Sequence, residues 1–299
     1  MPNLPVRALR PGSRIRVVAP SSPFSEADFR AGVARLEERY EVSWADGLDR
    51  RHGFLAGDDT HRLAQMRDAL ENGRFDAVIP VRGGYGATRL LRDLHPEDLG
   101  DAPPLLIGFS DITALHALYA RAGRCSMHGP MVAGLGRATP TQFDAWVRLM
   151  EGGPPPVFEG LTSVASGHGS GPLLGGNLAV LTALVGTRHA PPLDGAVLFL
   201  EDVGEAPYRV DRMLTQLRDA GWLDRIAGVA LGSFTACAPR DDGRRVEDVL
   251  SDRLGDLGVP VVSGLPCGHA KGDRAIPLGV RVTVNGHRGA LVVEERAVR

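Results

Sequence analysis

Lysine is almost missing from this sequence: of 34 basic residues, all but Lys271 are arginine. Any lysine-based mechanism is confined to that one position. Cysteine is nearly as scarce. Cys125, Cys237 and Cys267 form neither an even disulfide set nor a C-x-x-C pair, which excludes a disulfide scaffold and suits a reducing compartment. A surplus of charge is lacking too. With 36 acids against 34 bases the formal net charge is -2, so no basic face for a nucleic-acid backbone is expected. No apolar run approaches the roughly 18 residues of a membrane span. The first twenty residues scatter Arg7, Arg10, Arg14 and Arg16 where a secretion signal would carry its apolar core. These absences lead to the expectation of a cytoplasmic protein with no nucleic-acid or membrane partner.

What is present is ordinary globular material: 299 residues, 43% hydrophobic and 23% charged, enough for two domains or one large one. The first half alternates strand-like and helix-like segments. Ile15–Ala19 is an apolar run ending in Pro20-Ser21-Ser22-Pro23, and Ser25 suits the N-cap of a helix reaching about Tyr40. A second helix enters at Asp59-Thr60 and stops at Gly73. Strand Phe75–Val81, the turn Arg82-Gly83-Gly84-Tyr85-Gly86, a helix from Ala87 to about Leu94, strand Leu105–Phe109, a helix to Arg121 and the short Ser126-Met127-His128 segment follow. This alternation predicts βαβ units and a parallel sheet covered on both faces.

From Gly134 to Gly171 glycine, proline, threonine and serine accumulate around one short helix near Phe143–Met150, which marks a linker. The expected division is an α/β domain over 1–135, a linker over 136–170 and a second α/β domain over 171–299. In the latter, Gly175-Gly176-Asn177 opens a helix, Ala196–Leu200, Val229–Phe234 and Val259–Leu265 read as strands, and Tyr208–Leu217 as a helix. An Asn285-Gly286 turn between Val280–Asn285 and Ala290–Val293 predicts a terminal hairpin, and so a sheet of mixed pairing.

Three groups of residues are candidates for chemistry. Gly84-Tyr85-Gly86, between strand and helix, could cradle an anion on its amides. A dinucleotide fingerprint would need a small residue where Arg89 stands, and a P-loop would need a lysine, so no nucleotide cofactor is expected. A tight turn or an oxyanion cradle fits better. Leu105–Phe109 runs straight into Ser110-Asp111, and a serine at such a junction exposes its hydroxyl beside a free backbone N–H; serine is equally a favoured helix cap. For a base, His269 and His128 both lie just past strands. For an acid, Glu201 and Asp202 end an apolar strand, where an uncompensated charge is costly. Cys267 with His269, or Cys125 with His128, lacks the second pair of ligands that zinc needs, so no metal is expected.

These segments, in this order, resemble the serine L,D-carboxypeptidases that trim peptidoglycan peptides, a family that includes the microcin C immunity hydrolases. The resemblance covers almost the whole chain. It rests on Ile15–Ser21, Val81–Gly86, Ile107–Asp111, His128-Gly129-Pro130, Gly175–Leu178, Leu200–Asp202 with Tyr208 and Asp211-Arg212, and Gly268-His269. It implies a flavodoxin-like parallel-sheet N-terminal domain and a smaller β-rich α/β C-terminal domain. It implies Ser110 as nucleophile, His269 as base and Glu201 as its orienting acid, with backbone N–H groups of Asp111 and of the Gly83-Gly84 turn, preferably Gly84, as oxyanion donors. Arg82 and Asn177 are candidates to hold a terminal carboxylate. The expected substrate is a murein tetrapeptide losing its terminal D-alanine in peptidoglycan recycling, and the expected assembly a homodimer. The alternatives are an immunity-type hydrolase of aminoacyl-nucleotide conjugates and a non-catalytic binding protein. The absence of an obvious long inserted specificity loop favours the recycling enzymes over the first of these.

Overall fold

A computed structural model describes residues 3–239 and 243–299. Strands and helices alternate through the first half: β1 (Arg14–Val18), α1 (Glu26–Glu37), β2 (Glu41–Trp44), α2 (Asp59–Leu70), β3 (Ala77–Pro80), α3 (Ala87–Leu90), β4 (Leu105–Gly108), α4 (Thr113–Arg121), β5 (Ser126–His128) and α5 (Val132–Leu135). β3 and β4 are apolar and buried at every residue, as strands covered on both faces must be. Ser25 caps α1, accepting the Asp28 N–H. α3 stops at Leu90, short of the expected Leu94. Pro96 holds His95 extended at φ -119° and ψ 155°, and the intervening residues only turn.

The rest of the chain adds α6 (Pro140–Met150), β6 (Val157–Phe158), β7 (Thr162–Ala165), β8 (His168–Asn177), α7 (Leu178–Ala183), β9 (Val197–Val203), α8 (Pro207–Asp219), β10 (Gly228–Thr235), α9 (Val246–Leu254), β11 (Val261–Ser263), β12 (Ile276–Leu278), β13 (Arg281–Asn285) and β14 (Ala290–Val293). Residues 136–170 hold α6, β6, β7 and the start of β8. α6 begins with a Thr139–Gln142 capping box and buries Phe143, Trp146 and Met150 in the core shared with the first sheet. Gly175-Gly176-Asn177 end β8, and the helix starts one residue later with Asn177 as its cap.

Two sheets result. The first has the order β2-β1-β3-β4-β5-β12, parallel from β2 to β5, with β12 returning from the second half to pair antiparallel with β5. Its first five strands follow the flavodoxin order, which reverses between β1 and β3 and opens a crevice at their carboxyl ends. The second sheet has the order β6-β14-β13-β8-β9-β10-β11-β7. Its centre, β8 to β11, is parallel and its flanks are antiparallel, with β13 and β14 forming the expected hairpin. The mixed α/β architecture with two sheets is thus the one the sequence implied.

The two parallel regions meet carboxyl end to carboxyl end. The Asn177 N–H at the end of β8 donates to Thr113 Oγ1 at the start of α4, 2.9 Å away. Loops after β1, β3, β4 and β5 therefore face loops after β8, β9, β10 and β11.

α6 gives a direct test of how firmly residues 136–170 belong to the folded core. Trp146 is 3% exposed, stacked on Phe143 at 5.9 Å and edge-on to Tyr40 at 6.4 Å. Trp146→Ala is expected to cost about 3–5 kcal/mol in urea-unfolding free energy. A loss under about 1 kcal/mol would show that this helix merely rests on the first sheet.

Candidate active site

The nucleophile candidate sits where β4 breaks into a short helical turn. Ser110 has φ 63°, the left-handed region that a non-glycine residue enters at a cost of about 1–2 kcal/mol. A sharp elbow of this kind lifts a side chain off the end of its strand. Neither the Ser110–Ile112 turn nor α4 is closed by a side-chain cap, so capping does not explain this serine.

The glycine-rich turn after β3 lies against it. A Cβ on Gly83 would stand 2.9 Å from Ser110 Cβ, 3.1 Å from its Oγ and 3.3 Å from the Asp111 backbone nitrogen, so only glycine leaves that space open. Gly84, exposed, follows it. The Tyr85 N–H donates to Ser22 Oγ at 3.1 Å, tying this turn to the loop after β1. Asp111 completes the clamp with its side chain: Oδ2 accepts the Ser21 hydroxyl at 2.6 Å and the Ala87 N–H at 2.8 Å. Burial pushes the Asp111 carboxyl up, and those two donors offset part of the shift. Arg62, fully buried, donates to the carbonyls of Pro20 and Gly86 and pairs with Asp59, pinning the same two loops from below. Arg82, beside Gly83, is exposed and, among the described residues, paired with no acid.

On the opposite side β9 delivers its two carboxylates to opposite faces, as the period of a strand requires. Glu201 is wholly buried and turns toward the first sheet, where its Oε2 accepts His269 Nδ1–H at 2.6 Å. Because a carboxylate only accepts, the proton lies on Nδ1, leaving Nε2 as the basic nitrogen. Burial drives the Glu201 carboxyl upward, but His128 and His269 outweigh it and hold the group below its usual range. Asp202 turns to α7, accepting N–H groups from the Asn177 side chain (2.9 Å), Ala179 (3.0 Å) and Val203 (2.8 Å). Burial pushes it up to about 6, against those bonds. Asn177 spends its other amide atom as the cap, Oδ1 accepting the Val180 N–H at 3.1 Å.

The loop after β11 is shaped to bring His269 in. A Cβ on Gly268, at φ 139°, would lie 2.4 Å from Ser233 Oγ and 2.9 Å from Glu201 Oε2, so glycine is required before this histidine. Ser233 Oγ accepts the His269 N–H at 3.0 Å and donates to Asp273 at 2.8 Å, fixing the loop to the end of β10. Phe109, next to Ser110, packs its ring at 4.8 Å from that of His269, which brings the nucleophile turn and the histidine loop together. Among the described residues no group of three metal-ligating side chains is gathered. Cys267 is fully buried, and burial pushes its thiol up.

Reasoning from sequence passed over Ser21, Ser22, Arg62, Phe109 and Ser233. Ser21 and Ser22 had a usable signal, because Pro20–Pro23 ends a strand and marks a loop at its carboxyl end. Arg62 had none, since a buried arginine reads like any other on a polar helix.

The elbow serine at the end of β4 and the carboxylate–histidine pair at the ends of β9 and β11 thus lie on facing loops of the two sheets, linked by the Phe109–His269 ring contact. Family models described as the LD-carboxypeptidase N-terminal and C-terminal domains match residues 15–129 and 170–284. The chain belongs to this LD-carboxypeptidase family and is a serine carboxypeptidase by class. It is 32% identical to the murein tetrapeptide carboxypeptidase of Pseudomonas aeruginosa, over 92% of this chain and 94% of that one. The crystal structure of muramoyltetrapeptide carboxypeptidase from Oxalobacter formigenes superposes with a TM-score of 0.83 at 32% identity, covering 94% of this chain and 99% of that one. The microcin C7 self immunity protein shares the fold, with a TM-score of 0.89 at 21% identity, covering 99% of this chain and 100% of that one. No helix among the described residues is long and apolar enough to cross a membrane.

The pKa of one further histidine in the wall of the site gives a stability prediction. His116 donates Nε2–H to the Gly108 carbonyl (2.9 Å) and accepts from Ser126 Oγ at Nδ1 (2.8 Å), holding α4 to β4 and β5. Burial lowers it from 6.5 to about 3. The folded state thus binds fewer protons than the unfolded one, and stability is lost as pH falls through this window. Relative to His116→Asn, wild type should lose up to about 1.4 kcal/mol per pH unit between those values. Urea titrations at several pH values check this, and a pH-independent difference would refute a neutral buried His116.

Proposed function

We propose that the protein is a serine-type L,D-carboxypeptidase that removes the terminal D-alanine of murein tetrapeptides through Ser110, His269 and Glu201. The observation that supports the reading is the 2.6 Å bond from His269 Nδ1 to the buried Glu201, with the His269 ring 4.8 Å from that of Phe109, the neighbour of the elbow serine. His269 Nε2 takes the Ser110 proton as Oγ attacks the carbonyl of the L-centre that precedes D-alanine. The backbone N–H groups of Asp111 and Gly84, on either side of the opening kept by Gly83, receive the oxyanion. His269 then protonates the departing D-alanine nitrogen, and water attacks the acyl-enzyme with the same histidine as base. Glu201 holds the imidazole in the required tautomer and stabilises its charged form.

A carboxypeptidase must also recognise a free carboxylate. Arg82 is the stronger candidate, being exposed, next to the oxyanion turn and, among the described residues, paired with no acid; the Asn177 side chain already spends its amide on α7 and Asp202. The reading extends, on family resemblance, to peptidoglycan recycling in the cytoplasm by a homodimer.

Two experiments test this. Mass spectrometry of L-Ala-γ-D-Glu-meso-diaminopimelate-D-Ala incubated with the protein should show loss of one D-alanine, slowed by about 10³-fold or more in Ser110→Ala. An intact tetrapeptide beside folded protein would overturn the reading, and hydrolysis of an aminoacyl-sulfamoyl nucleoside instead would move the substrate to the immunity class. Arg82→Ala should raise KM about 10- to 100-fold, the worth of a charge-assisted bond, with a smaller change in kcat. An unchanged KM would remove Arg82 from carboxylate recognition.

A further inference from the structure

His128, the last residue of β5, is a buried titratable group that the mechanism above does not use. Its side chain is 1% exposed, enclosed edge-on by the rings of Phe199 at 4.9 Å and Phe109 at 5.8 Å. Among the described residues, neither of its ring nitrogens has a hydrogen-bond partner. An imidazole carries at least one N–H, and leaving it unpaired away from water is costly. Among the described residues, the other unpartnered buried atom at this place is Glu201 Oε1, the oxygen that His269 does not use. The two deficits face each other: His128 Nε2 stands 3.8 Å from Oε1. Closing that gap by about 0.6 Å would make a hydrogen bond and satisfy both atoms.

We infer that His128 is a positioning residue that donates Nε2–H to Glu201 Oε1, and so fixes the orientation and divides the charge of the carboxylate serving His269. This rests on the assignment of Ser110, His269 and Glu201 made above. A carboxylate held on one side only can rotate about its last bond. Held at both oxygens, it keeps Oε2 aimed at Nδ1. The donor on Oε1 also draws negative charge away from Oε2, which weakens the grip of Glu201 on the protonated His269 and lets that histidine release its proton to the leaving amine. Among the described residues the titratable groups facing His128 are few. β9 presents Glu201, the loop after β11 presents His269, and α4 presents His116, 6.3 Å away between ring centroids. β4 and β12 pair with it through Gly108 and Ile276, which do not titrate.

The test compares His128→Leu, which removes the donor, with His128→Gln, whose amide reaches the Nε2 position, and His128→Asn, whose shorter amide does not. Each is made in the wild-type and the Glu201→Gln backgrounds, with unfolding midpoints recorded. Turnover of the tetrapeptide and the rate of Ser110 labelling by a fluorophosphonate are both measured against pH. His128→Leu should lower kcat about 10- to 100-fold with KM within about twofold, as losses behind a liganding group do. It should also move the acidic limb of the kcat/KM profile to higher pH, because the whole carboxylate charge then falls on His269. His128→Gln should recover most of the loss and His128→Asn little, which keeps the comparison alive should the leucine variant fail to fold. In the Glu201→Gln background the same substitutions should cost almost nothing further. Equal costs in both backgrounds, or an acidic limb that does not move, would make His128 a packing residue and overturn the inference. Full activity of Glu201→Gln itself would instead overturn the assignment of the acid, and the labelling rates would show that without reference to any peptide.

Discussion

The Glu201 carboxylate is the constraint around which the site is organised. A wholly buried carboxylate is tolerated only where opposite or donating groups offset the loss of water, and here that role falls to histidines arriving from two directions. The bond to His269 requires the loop after β11 to pass so close that residue 268 can carry no side chain. The wall beside it, Phe199 and Phe109, keeps water from the carboxylate and so keeps its bonds strong. One acid thus dictates a glycine, a histidine and two aromatic neighbours from three separate stretches of chain.

The nucleophile's side depends on a second buried carboxylate with a different duty. Asp111 gives its side chain to architecture, where it gathers the loops after β1 and β3. Arg62 reinforces the same junction from below. Each parallel sheet contributes the ends of its strands, the place where side chains can converge without interrupting a ladder. The division of labour in the proposed mechanism follows: the first sheet carries the proposed nucleophile and amides, the second the proposed base and acid.

Much of this was legible in the residues. The apolar runs of β3, β4 and β9 could be nothing but buried strands, and the hairpin announced itself through Asn285-Gly286. Ser110 stood out because a polar residue followed an apolar strand without a break. What could not be read was which way things turn. Glu201 and Asp202 are equivalent in the sequence, and only the pleat of β9 sends one to the histidine and the other to α7. Asn177 looked available as a ligand because the partner of its amide nitrogen, Asp202, lies on β9, well away in the sequence. β12 was invisible as a strand of the first sheet, since pairing across more than a hundred residues leaves no local pattern.

That strand has a mechanical meaning. By crossing back to pair Ile276, Pro277 and Leu278 with His128, Met127 and Ser126, the second half of the chain stitches itself into the sheet of the first. The stitch ends at His128 and lies a few residues beyond His269, so it crosses the assembly at the level of the reacting groups. The two halves cannot swing apart like the jaws of a clamshell without tearing a β-ladder. The halves should neither fold nor be exchanged as separate modules.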